Sequence, residues 1–149
     1  MKKLLLLCFL VIPVMAKTQD MDFKKLKLVL AKEAVVIQEV GNAVEYELND
    51  LKIYLITDEN ANRMRLMAGV VESAKLSRED LDILMEANYD RALDAKYAIS
   101  DNILWAVYVH PLRELREKQI IDALYQVFAL VKNYGTTYTS TDMIFGGEN

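Results

Sequence analysis

The chain has 149 residues, a formal net charge of −4 at pH 7, one cysteine and one histidine. This length fits one folded domain. Its acidic charge is spread along the chain and repels phosphate backbones, so we do not expect nucleic-acid binding. One cysteine and one histidine are too few for a zinc or iron site built from those ligands.

The first sixteen residues have the pattern of a secretory signal peptide. Lys2 and Lys3 precede an apolar run over residues 4–15, and Val14 and Ala16 stand at the positions that signal peptidase reads. We therefore expect cleavage between Ala16 and Lys17 and a product that is periplasmic or secreted. The apolar run is shorter than the ~20 residues of a spanning helix, so a permanent anchor is the weaker alternative.

The cysteine lies inside this leader. Leu7 precedes Cys8, whereas a lipidated cysteine follows a small residue, so we expect no lipid anchor. The chain would then contact the membrane only transiently, through the signal peptide. The mature chain would have no cysteine, which excludes disulfides and thiolate chemistry from it.

The first half of the mature chain predicts one helix and four strands. Apolar residues recur at helical spacing over residues 20–33. The period then changes to two, and short polar turns separate the apolar runs, as in an antiparallel meander. The predicted strands are residues 34–40, 43–48, 51–57 and 63–71.

The second half predicts a helix, a hairpin and a long final helix. Ser77 and Asp80 form a capping-box pattern at the start of a helix over residues 76–91. Two strands follow at residues 94–100 and 103–110, and Pro111 ends the second because it has no N–H to donate. The last helix is predicted over residues 112–134, with Gly135 as its C-terminal cap.

The predicted order is α-β-β-β-β-α-β-β-α. This order is typical of an α+β fold, an antiparallel sheet with helices on one face. We expect a single domain over residues 17–135. Residues 136–149 are rich in Thr, Ser and Gly, which predicts a flexible C-terminal tail.

The element order, the hairpin over residues 96–109 and the stretch QIIDALYQVFALVKNYGTTY at residues 119–138 resemble the YbjN-like domain. That family is similar in fold to the class I type III secretion chaperones. The resemblance covers about residues 23–138. It implies a secretion-chaperone-like fold and protein binding, and it carries over no catalytic residue. Those chaperones act in the cytoplasm, whereas this chain has an export signal, so the resemblance does not imply a role in secretion.

The polar residues predict no catalytic, cofactor or metal site. His110 precedes a proline at a strand end and has no second histidine or cysteine as partner, which indicates a structural histidine. Asp58 and Glu59 lie in a turn, where solvated carboxylates are expected. No Gly-x-Ser-x-Gly elbow or Gly-rich phosphate loop occurs before the tail. We therefore expect no enzyme.

Several predicted strands are apolar on both faces, whereas a one-sided antiparallel sheet should be polar outside. In each of these strands a second row of apolar residues lies opposite the row expected in the core. If the second rows share one face of the sheet, they form an aromatic and Met-rich patch that is either covered internally or used to bind a partner. The candidate partner surface consists of Tyr54, Ile56, Met67, Leu104 and Tyr108.

Two hypotheses of function follow from these patterns. The first is an exported, non-enzymatic protein-interaction or chaperone-like module that binds a polypeptide or forms a homodimer through this surface. The alternative is a small-ligand-binding sensory or regulatory domain with a pocket between helix and sheet. Asn88, on the inward stripe of its helix, is the one hint of such a pocket, and a satisfied core amide is its commoner explanation.

Overall fold

The computed structural model describes residues 20–143. The predicted signal peptide, its cleavage site at Ala16 and Lys17, and residues 144–149 lie outside the described residues. A short 3-10 turn, Ser73–Lys75, leads into the second helix. The main elements are α1 (Phe23–Leu30), β1 (Val35–Val40), β2 (Ala43–Leu48), β3 (Leu51–Asp58), β4 (Arg63–Glu72), α2 (Arg78–Asp90), β5 (Lys96–Ser100), β6 (Ile103–His110) and α3 (Glu117–Lys132).

The sheet has six strands in the order β1-β2-β3-β4-β6-β5, and every pairing is antiparallel. β1 to β4 form a meander, and α2 then carries the chain past β4, so β6 rather than β5 pairs with it. The tight turns at Asn49-Asp50 and Asp101-Asn102 have positive φ at both residues. Asn and Asp tolerate that conformation, which is the one that two-residue hairpins require. The predicted α+β fold is confirmed.

The core lies between one face of the sheet and the helices α1 and α3. The sheet contributes Tyr46, Ile53 and Leu66, which are fully buried. Each lies on the row that alternates with exposed or half-buried residues in β2, β3 and β4. From the helices, Leu26, Leu30, Ile120, Leu124 and Val127 pack into the same cluster.

The final helix begins later than the sequence predicts. Arg116 is in an extended conformation before α3, and its N–H donates to the Gln119 side chain (3.0 Å), so the first helical turn starts at Glu117. Leu112 and Leu115, expected in the helix, lie in the preceding loop with only 1% of their surface exposed. Their apolar character comes from burial in that loop, which the 3.6-residue period cannot distinguish from a helix.

The described part of the predicted flexible tail, residues 136–143, is held against the domain. Ser140 accepts from the Leu93 N–H (2.7 Å), and its own N–H donates to the Arg91 carbonyl (3.2 Å). Tyr138 packs edge-to-face on Tyr97 (6.3 Å between ring centroids). The folded domain therefore continues past residue 135, a correction to the predicted boundary. Polar contacts of this kind leave no periodic signal in a Thr- and Ser-rich segment.

Candidate protein-binding face

The two rows of β6 face the opposite way from the sequence prediction. Leu104 and Tyr108 lie on the core face with 1% and 6% of their surface exposed. Tyr108 pairs with the fully buried Leu66 of β4. Both rows of β6 are apolar, so alternation defines the rows without telling which one meets the helices. The five predicted residues thus do not share one face.

The remaining three predicted residues do lie together on the face opposite the helices. Tyr54 pairs with Met67, and Met67 pairs with Val107, which makes one row across β3, β4 and β6. Trp105 joins this row, because its ring lies edge-to-face with that of Tyr54 (6.2 Å, 78°). Val107 and Trp105 are not among the five predicted residues, because the prediction took Leu104 and Tyr108, on the other row of β6, for the partner surface.

A second row lies beside the first. Ile56 and Val109 flank Arg65 in register, and 40% and 52% of their surfaces are exposed. The neighbouring aromatic row is half-buried by its own contacts. We call the apolar members of the two rows the outer patch: Tyr54, Ile56, Met67, Trp105, Val107 and Val109. An apolar sheet face of this kind, opposite a complete core, is a typical partner surface.

Charged residues border the outer patch unevenly. On the β2 side, Lys52 pairs with Glu45 (2.7 Å), and the hydrogen bond and charge of Glu45 raise the pKa of Lys52. At the other border, Arg63 and Arg65 make no ion pair with any residue in the described part of the chain. They line an open depression of about 530 Å³ together with Asn42, Ile56 and Val109.

The edge strand β1 is the second exposed apolar feature. Its six residues are all exposed, and a bulge at Ile37 interrupts its pairing with β2. An edge strand carries free backbone groups that another strand can pair with. Its exposed apolar residues are Val35, Val36, Ile37 and Val40.

The two residues that could suggest a ligand site have structural roles. The His110 ring stacks on Tyr108 (6.0 Å), and its Nδ1 lies 2.8 Å from the Pro111 carbonyl, so Nδ1 carries the proton and donates. Asn88 donates to the Tyr97 carbonyl (3.0 Å) and accepts from the Tyr97 N–H (2.7 Å). Asn88 is thus a hydrogen-bonded structural amide, as its commoner explanation has it, but it is half-buried at the edge of the sheet rather than in the core.

The acidic groups likewise support the fold. Asp80 and Ser77 form the predicted capping box, and the hydrogen bonds from Ser77 lower the pKa of Asp80. Asp58 accepts from the Ala61 N–H (2.9 Å), and Glu59 accepts from the Phe23 N–H (3.0 Å) at the start of α1. Within residues 20–143, no cluster of three His, Cys, Asp or Glu side chains could hold a metal ion.

One depression adjoins α1, where the alternative hypothesis would place a ligand. It measures about 310 Å³ and is lined mainly by charged or surface groups, including Asp20, Lys25 and Arg113. It is open to solvent at the first turn of α1 rather than enclosed between helix and sheet. Over the same stretch of chain, none of the helices is long and apolar enough to cross a membrane.

These features define an α+β protein with one apolar sheet face left exposed. A chain in the solved structure of the HopA1–SchA chaperone–effector complex aligns with a TM-score of 0.56 and 10% sequence identity, over 79% of this chain and 91% of that one. At this identity the likeness shows the fold alone. No family model matches the sequence, and neither does any curated protein. The chaperone-like fold is thus confirmed, and the resemblance to the YbjN-like domain in particular stays a prediction.

Proposed function

We propose that this chain is an exported, non-enzymatic interaction module that binds a polypeptide through the outer patch. The observation that carries the proposal is the apolar face opposite a complete core. Ile56 and Val109 remain exposed there, although α1 and α3 already bury the other face. When a partner covers apolar surface of this kind, the complex is stabilised by about 25 cal/mol per Å² buried.

The chaperone-like fold is a second observation that supports the proposal. The aligned structure is a complex of a chaperone with its effector, so a protein of this fold has a polypeptide partner. Two features of the outer patch suit such a partner. The Tyr54–Trp105 pair offers rigid aromatic area, and Met67 beside it can adapt to different side chains.

Export is part of the same proposal and rests on the N-terminal pattern. Lys2 and Lys3, the apolar run and Ala16 together have the layout of a cleaved leader. Mass spectrometry of the protein recovered from the cell envelope should then give an N-terminus at Lys17. Recovery of the intact leader from the cytoplasm would contradict export without affecting the outer patch.

Site-specific photo-crosslinking tests the outer patch directly. A photoreactive amino acid at position 109 should give a discrete protein adduct in the cell, and the same group at position 28 should not. Leu28 is the matched control, because it is equally apolar, is 62% exposed, and lies on α1 away from the sheet face. Ile56→Lys should abolish the adduct while the circular dichroism stays unchanged, since Ile56 lies outside the core.

Three outcomes of that experiment decide the proposal. An adduct between two copies of the chain would identify the polypeptide partner as a homodimer. Adducts from both positions in equal yield would mean non-specific contact and would overturn the proposal. So would the absence of any adduct at position 109.

A further inference from the structure

We propose that the polypeptide held by the outer patch carries a carboxylate between apolar side chains, and that Arg65 receives this carboxylate. The inference rests on the proposed function and adds the chemistry of the partner. It starts from one register row of the sheet. Arg65 of β4 pairs with Ile56 of β3 on one side and with Val109 of β6 on the other, so a cation stands between two exposed aliphatic side chains.

Other cations near the sheet have partners within the fold. Lys52 pairs with Glu45, and Lys27 pairs with Glu39. The Lys96 amine donates to the carbonyls of Asn88 and Ala92 at the end of α2. For Arg65, by contrast, no carboxylate of residues 20–143 lies within 4.0 Å. The absence is local, because the whole chain carries 22 Asp and Glu against 18 Lys and Arg.

The acidic residue that follows Ile56 on the same face of β3 is Asp58, whose carboxylate is hydrogen-bonded in the turn. Asp58 ends β3 opposite Arg63, and its carboxylate accepts from the Ala61 N–H (2.9 Å) in the turn. Arg63 in turn donates from Nη1 to the Asn62 carbonyl (2.8 Å). Asp58 keeps its charge, but its carboxylate is held in the β3–β4 turn and makes no ion pair with Arg65 within the described residues.

The depression of about 530 Å³ has room for such a ligand group. Both arginines line it, with Ile56 and Val109 as its exposed apolar residues. A guanidinium is planar and weakly hydrated, and it binds a carboxylate through two parallel hydrogen bonds. A polypeptide with an Asp or Glu side chain between apolar ones would place that carboxylate on Arg65 and its apolar neighbours on Ile56 and Val109.

The net charge of the chain separates this partner from a nucleic acid. A phosphate backbone would also pair with Arg65, but the formal charge of −4 disfavours a polyanion at longer range. The apolar flanks have nothing to contact on a phosphate backbone. A short acidic and apolar peptide segment fits both observations.

Three sets of synthetic decapeptides test the inference. All are acetylated and amidated, with apolar residues at alternate positions and Ser between them, except that one central position between two apolar residues holds Asp or Glu, Asn or Gln, or Lys. Fluorescence anisotropy with the full chain at low salt should show the acidic set binding about tenfold tighter than the neutral set. Arg65→Gln should remove this preference and leave the neutral set unchanged, and Arg65→Glu should favour the Lys set. Arg78→Gln is the control, because Arg78 pairs with Asp82 on α2 (2.8 Å).

The outcomes separate the two proposals. Equal binding of all three sets, or an acidic preference that survives Arg65→Gln, would overturn the inference and leave the outer patch as a polypeptide site. Failure of every set to bind would overturn the inference, and it would overturn the proposed function as well only if position 109 also gave no adduct in the cell. A single-stranded oligonucleotide that binds more tightly than the acidic peptides, through Arg65, would replace the carboxylate with a phosphate and also overturn the inference.

Discussion

The two edge strands of the sheet, β5 and β1, differ in whether their outward backbone groups are hydrogen-bonded. At β5, the Asn88 side chain bonds both the N–H and the carbonyl of Tyr97, as a neighbouring strand would. At β1, all six residues are exposed, and the one interruption of the ladder is the bulge at Ile37. The β5 edge is therefore closed at Tyr97 by a side chain from α2, whereas β1 presents free backbone groups along its length.

The closed edge belongs to a larger set of polar contacts that hold the chain between α2 and β5. The buried Gln126 of α3 accepts from the N–H groups of Asp94 and Ala95, and Ser140 accepts from Leu93. The open edge has no comparable set among the residues described. The long-range polar contacts are thus concentrated where α2, α3 and β5 meet, whereas the exposed surfaces that suit a partner lie on the outer patch and at β1.

The largest loss of unfolding free energy is expected on substitution of Gln126. Gln126→Met keeps the volume, but it leaves the Asp94 and Ala95 N–H groups without an acceptor, and Gln126 is 1% exposed. Unmet buried donors cost about 1–3 kcal/mol each, so urea unfolding should show a loss of about 2–4 kcal/mol. Lys118→Met, at an exposed position of the same helix, is the control and should stay within about 0.5 kcal/mol. A loss below that level at position 126 would mean that the β5 end does not depend on this residue.

The next effect is at the closed edge itself. Asn88→Ala removes both hydrogen bonds to Tyr97, so we expect a loss of about 1–3 kcal/mol in unfolding free energy. Hydrogen exchange at the Tyr97 amide should accelerate more than exchange at other amides of β5 and β6. Glu86→Ala, at an exposed position of the same helix, is the control. If the Tyr97 amide kept its protection, Asn88 would not be what closes the edge.

The sequence predicts the fold because its local signals agree with one another. Asn-Asp and Asp-Asn dipeptides mark two hairpins, the Ser77 and Asp80 pattern marks the start of α2, and period-two alternation marks the strands. Each of these signals is carried by residues within a few positions of one another. This is why the element order could be derived without coordinates.

What the sequence could not give depends on contacts distant along the chain. The orientation of β6 was wrong because both of its rows are apolar, and only pairing of Tyr108 with Leu66 decides which row is buried. The role of Gln126 was missed because its partners lie 31 and 32 positions away. A buried glutamine and an exposed one look alike in a helical pattern. Trp105 was left out of the predicted partner surface for the same reason that Tyr108 was included in it.

Two tyrosines allow the ends of the sheet to be compared at high pH. Burial, and then the charge of Glu39, raise the pKa of Tyr46 to about 12. Burial also raises the pKa of Tyr97 on β5, more than nearby charges do. Each phenol is therefore protonated in the folded state above the pH where an unfolded tyrosine ionises. The resulting stability is complete below about pH 10 and is lost as the pH rises beyond it.

The hydrogen bonds of the two hydroxyl groups determine which Tyr→Phe variant loses more stability at pH 7. Tyr97 donates to the Leu130 carbonyl at 2.7 Å, whereas Tyr46 is 3.5 Å from the Lys27 carbonyl, at the limit of a hydrogen bond. At pH 7, Tyr97→Phe should cost about 1 kcal/mol and Tyr46→Phe less. Urea unfolding at pH 7 and pH 11 should show both variants losing less stability between these values than the parent chain. An equal decline in all three would contradict the raised pKa values.

The smallest effect on stability is expected at the open edge. Ile37 is the bulged residue of β1 and is 49% exposed, so Ile37→Lys should change the unfolding free energy by no more than about 0.5 kcal/mol. A lysine on an edge strand disfavours pairing with another strand. Light scattering over a concentration series should therefore show less self-association than in the parent chain, while Leu28→Lys, the same change on α1, has no effect. If Ile37→Lys instead destabilised the chain as much as Asn88→Ala, β1 would be covered in the whole protein, and the two edges would not differ.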